Sequence, residues 1–110
     1  MKQNDFLDQH IFLNLNGTSN GEKTDPTYRF TEADFEVVLE RIEHSGISVY
    51  QIEAFLEDAS FGIQTNEDLN KKATDAKWYR KAFSTFKHRQ AGMLYSATYK
   101  VPTKLLARFS

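Results

Sequence analysis

The chain has no cysteine in its 110 residues. Disulfides, cysteine-ligated zinc, iron–sulfur clusters and thiol catalysis are thereby excluded, and the absence fits a reducing compartment. No apolar run approaches the roughly 18 residues of a membrane span. The first eight residues are polar, so neither a transmembrane helix nor a signal peptide is expected, and a cytoplasmic address is the default. Prolines number only two and histidines three. His10, His44 and His88 are scattered, and none stands in a GxSxG or similar context. HExxH, HxH and DxDxDG patterns are missing, as are GxGxxG and the GKS/GKT of a phosphate loop. Paired carboxylates do occur at Glu32/Glu36, Glu36/Glu40 and Glu57/Asp58. On a helix surface such spacing ordinarily makes a solvated face. No catalytic residue, metal ligand or cofactor is therefore expected.

What is present is core material. Hydrophobic residues make up 40% of the chain, with nine phenylalanines, which argues for one folded domain over residues 1–110 rather than disorder. The net charge of −1 conceals a division. Residues 1–70 hold 4 Lys/Arg against 14 Asp/Glu, a balance of −10, and residues 71–110 hold 10 against 1, a balance of +9. Two parts so charged are expected to lie against one another.

The strongest local signal is residues 74–92, TDAKWYRKAFSTFKHRQAG. At about 100° per residue, Trp78, Tyr79, Ala82, Phe83 and Phe86 share one arc, while Lys77, Arg80, Lys81, Lys87 and His88 take the opposite side. Thr74 or Asp75 suits the N-cap and Gly92 a left-handed C-cap. A second helix begins at Thr31, with Asp34 where a capping box has Glu and Gly46 as terminator. Its apolar stripe is Phe35, Val38, Leu39 and Ile42, flanked by Glu32, Glu36, Glu40 and Glu43. His44 reads as a surface residue complementing the helix dipole.

Elsewhere two periods compete. Ile11, Leu13 and Leu15 alternate as in a strand, predicted over residues 10–15, although Phe6, Leu7, Ile11 and Leu15 also suit a helix ended at Gly17. Residues 16–27 form a polar, turn-rich loop expected to be flexible. Residues 48–59 fit a strand with Tyr50, Ile52, Ala54 and Leu56 on one side, or a helix opened by Ser48 and Gln51. The β-branched start favours the strand, turning at Asp58-Ala59 into another over residues 60–64. Met93, Tyr95, Ala97, Tyr99 and Val101 alternate in a last strand stopped by Pro102, and Leu105, Leu106 and Phe109 suggest a final helical turn.

The order is then β-α-β-β-α-β: an α+β, two-layer sandwich with both helices on one face of an antiparallel sheet, of which a ferredoxin-like arrangement is the simplest form. The functional expectation is a non-enzymatic module that binds another protein or itself, through an edge strand or opposed charges. The alternative is nucleic acid, or another anion, on the basic helix face at Lys77, Arg80, Lys81 and Lys87. Against it, Trp78 turns toward the core, and residues 92–99 lack the RNP1 pattern. No membrane partner is expected.

Overall fold

Residues 48–65 carry the conflict between strand and helix, and the strand prevails. In the computed structural model, which describes residues 2–19 and 28–108, β3 runs over Ser48–Leu56 and returns as β4 over Ala59–Thr65. The turn between them is Glu57-Asp58, with φ of 50° and 67°. Two left-handed residues are what a two-residue hairpin needs to match the strand twist. Val49, Ile52 and Ala54 are fully buried on one face of β3. A register irregularity between Val49 and Gln51 displaces Tyr50 outward, where it is 42% exposed, so Tyr50 does not join the inward set that simple alternation suggested.

The last strand, β5 over Leu94–Lys100, pairs with the other side of β3, giving the antiparallel order β4-β3-β5. Cross-strand partners include Ile52 with Gln64 and Ala97, and Ala54 with Gly62 and Tyr95. A short ribbon adjoins this sheet. β1 (Thr18–Ser19) pairs with β2 (Tyr28–Arg29), and Phe30 exchanges two 2.8 Å backbone hydrogen bonds with Tyr95. Counted from Tyr28, the elements follow the order β-α-β-β-α-β, which is compatible with a ferredoxin-like arrangement. Tyr28–Arg29 supplies the first strand.

Residues 10–15 do not. Gln3–Phe6 is helical (α1) and continues as a wider π turn over Leu7–Ile11. Phe6, Leu7 and Ile11 are at most 4% exposed whereas Leu13 is 54% exposed, so the period that governs this segment is helical. Asn14, at φ 65°, makes a left-handed turn after this segment, ahead of the Gly17 at which the helical alternative ended. Two distant side chains anchor the segment. Gln3 donates to the Tyr99 carbonyl at 3.1 Å and accepts from the Val101 N–H at 2.9 Å, and Arg41 donates to the carbonyls of Ile11 and Leu13, both at 2.8 Å. Gln3→Ala leaves the buried Val101 N–H without its acceptor, and its expected cost is about 1 to 3 kcal/mol in urea unfolding, with faster amide exchange at Phe6. The loop expected over residues 16–27 lies partly outside the described residues, as does Phe109.

Both long helices pack on the face of the sheet that carries Ile52, Ala54 and Tyr95. α2 covers Glu32–Ser45, capped by Thr31, whose hydroxyl accepts from the Asp34 N–H, and closed by Gly46 at φ 69°. It buries Phe35, Val38, Leu39 and Ile42. α3 covers Ala76–Arg89 and buries Trp78, Tyr79, Ala82, Phe83 and Phe86. Of the two caps considered, Asp75 serves, accepting from the Lys77 N–H at 2.9 Å. The helix ends at an extended Gln90, earlier than expected, and Gly92 (φ 77°) turns the chain into β5. Tyr95 lies at the centre, stacked on Phe35 at 5.5 Å and edge-on to Phe83 at 4.9 Å. α4 (Thr103–Arg108) closes the described chain and rests Leu105 and Leu106 on the core.

Candidate functional site

Two of the four candidate cations on the basic face of α3 are engaged by neighbours. Arg80 donates through Nε to Glu43 of α2 at 2.9 Å, with a second contact from a terminal guanidinium nitrogen. The expected meeting of acidic and basic flanks thus takes place through this pair, worth at most about 1 kcal/mol at a half-exposed site. Lys87 folds back with Nζ 4.5 Å above the Phe83 ring. Lys77 and Lys81 are exposed, one turn apart. Of the four candidate residues, Arg80 and Lys87 thus have partners within the fold, and Lys77 and Lys81 are left exposed. Trp78 is 1% and Tyr95 0% exposed, so neither offers a stacking platform beside them. His88 Nδ1 donates to the Ser84 carbonyl at 2.7 Å, the only role open to it against a carbonyl, and His44 is exposed.

Among the described residues no three His, Asp or Glu side chains gather as metal ligands, and no helix is long and apolar enough to cross a membrane. Burial raises the phenol pKa of Tyr79, Tyr95 and Tyr99, but all three belong to the packed interior rather than to a cleft with a nucleophile.

The margin of the sheet is different. β4 is an edge, with no strand beyond it among the described residues. Its seven residues, ASFGIQT, include no charge and no proline, the usual devices that blunt an edge. The outward groups follow from the pairing. Thr65 stands opposite Gln51, yet its N–H is taken by the Asp68 carboxylate at 3.1 Å, so it faces away from β3. With side alternating along a strand, Ile63 two residues earlier presents its N–H and C=O outward as well. The Ile63 side chain is 52% exposed on the face opposite the helices, beside Glu53. Acids bracket the strand, Glu57 and Asp58 before it, Glu67 and Asp68 after it. Asp58 lies 3.7 Å from Arg29, which stacks over Phe55 at 3.8 Å. At the Thr65 end a cavity of about 250 Å³ opens among Tyr50, Gln51, Asn66, Glu67 and Thr98. Sequence reasoning placed the strand but not its edge position, which depends on β5 choosing β3 as partner. The uncharged run itself was the available signal.

A second recess lies between the N-terminal segment and β2. Asp8, Phe12, Leu15, Gly17, Tyr28 and Phe30 enclose about 200 Å³. Phe12 contacts Phe30 at 5.0 Å and Tyr28 at 5.7 Å between ring centroids. Gly17 is required for this closeness, because a Cβ there would meet the Phe30 ring at 2.7 Å. Partial desolvation of this exposed side chain, and then Asp5 nearby, raises the Asp8 carboxyl from its ordinary value. Comparison of the chain with protein-family models, curated proteins and solved structures finds no match to any of them.

Proposed function

We propose that this protein is a non-enzymatic protein-interaction module whose β4 edge accepts an extended segment of a partner protein as an added strand. The observation that carries the reading is the combination at β4 of outward backbone groups at Ile63 and an uncharged sequence that does nothing to repel a strand. Main-chain hydrogen bonds would supply affinity, and Ile63 together with the cavity beside Thr65 would read alternate side chains. The bracketing acids define the partner. Whichever way the strand runs, cationic ends meet Glu57 and Asp58 on one side and Glu67 and Asp68 on the other. A second copy of β4 in antiparallel pairing would bring acid against acid, which favours a different protein over self-association.

Titration of the labelled protein with the synthetic peptide KTVTVTK tests this, with ETVTVTE as its opposite. The cationic peptide is expected to shift the amide signals of Ile63 and Thr65, less so as salt rises. The anionic one is expected to leave them in place. Equal response to both peptides, or shifts confined to Lys77 and Lys81 with the anionic peptide, would overturn the assignment and move the binding surface to α3.

A further inference from the structure

We propose that the recess between the N-terminal segment and β2 binds an alkylated ammonium group. Three rings, those of Phe12, Tyr28 and Phe30, line it, and Tyr28 and Phe12 are only half-buried, so their π surfaces remain partly accessible. Asp8 stands on its wall without a hydrogen bond or ion pair among the described residues, and Asp5 adds a second negative charge nearby. Among the described residues no lysine or arginine lines the space. A recess with aromatic faces and a carboxylate that no described residue compensates is electrostatically suited to a cation, because the ring quadrupole and the carboxylate attract it together. The apolar contribution of the half-buried Leu15 and Phe12 selects the kind of cation. A bare ammonium or metal ion would surrender a strong hydration shell to reach a site with one carboxylate, whereas a methylated ammonium presents methyl groups to the rings and gives up little. The space of about 200 Å³ is ample for one such group. The same chemistry occurs in a free choline-like molecule and in the side chain of a methylated lysine.

Calorimetric titration of the full chain with choline, with a short peptide carrying Nζ-trimethyl-lysine and with neutral 3,3-dimethylbutanol tests the inference. Either cation is expected to bind about tenfold more tightly than the neutral isostere, and the tighter of the two identifies the source. Tyr28→Leu and, independently, the exposed Asp8→Asn are each expected to weaken cation binding by about fivefold or more while leaving the alcohol unaffected. Equal affinity for cation and alcohol, or cation binding that survives both substitutions, would overturn it, as would no binding of either cation by a folded chain.

Discussion

Phe35→Ala is expected to lower the unfolding free energy by about 3 to 5 kcal/mol in urea titration, a large share of the roughly 5 to 15 kcal/mol available to a domain of this size. Phe35 is completely buried in α2 and holds α2, α3 and the sheet together through its rings' contacts with Tyr95 at 5.5 Å and Phe83 at 5.2 Å. Truncation removes the apolar burial and leaves a void between three elements, which relaxation cannot fill from one side. The control is Ile63→Thr on the exposed face of β4, where the expected change is within about 0.5 kcal/mol. A loss below about 1 kcal/mol for Phe35→Ala would mean that Tyr95 is not packed between the helices.

Alkaline pH is expected to have a comparable effect. Burial pushes the Tyr79 phenol up to about 12, with Glu43 and Asp75 adding to the rise and Arg80 opposing it. Burial, with Glu32 assisting, takes Tyr95 to about 12, and burial alone raises Tyr99 further. In the unfolded chain these phenols ionise near their usual value of about 10. The folded state holds its protons longer, so their contribution is complete below about pH 10 and is lost as pH climbs through the folded values. Each tyrosine adds a slope of up to about 1.4 kcal/mol per pH unit across that window. Stability measured in urea at several alkaline pH values, alongside phenolate absorbance, should show cooperative unfolding and ionisation together. Stepwise phenol titration ahead of unfolding would contradict the burial. The Tyr95 and Tyr99 hydroxyls are enclosed without a partner among the described residues, so Tyr99→Phe should both flatten the slope and leave neutral-pH stability equal or higher.

Elements whose cues agree were legible in the chain. α2 carries a cap, a stripe and a stop within one window and α3 a cap and a stripe. Their buried residues are those that the 3.6 period selects, although α3 ends ahead of the Gly92 expected to stop it. β5 reads directly because Tyr95, Ala97 and Tyr99 alternate without interruption. The N-terminal segment misread because Ile11, Leu13 and Leu15 satisfy period two by accident, while the deciding contacts, Gln3 to Tyr99 and Arg41 to Ile11, span 96 and 30 residues. Tyr50 misread because an irregularity in register resets alternation within one strand. The α3 cations were visible individually, but Arg80's engagement with Glu43 and Lys87's with Phe83 depend on packing that no spacing rule reveals. The β4 edge and the aromatic recess are properties of topology. Each joins residues whose proximity follows only from which strand lies beside which.

Affinity of KTVTVTK for the Ile63→Pro variant is the most direct measurement. Proline removes the outward N–H of β4, and an edge position facing away from β3 tolerates it without loss of the sheet, so circular dichroism and amide protection in β3 should persist. With the fold intact, strand addition at this edge requires affinity to fall by about tenfold or more. Undiminished affinity in the folded variant would contradict β4 as the interaction surface.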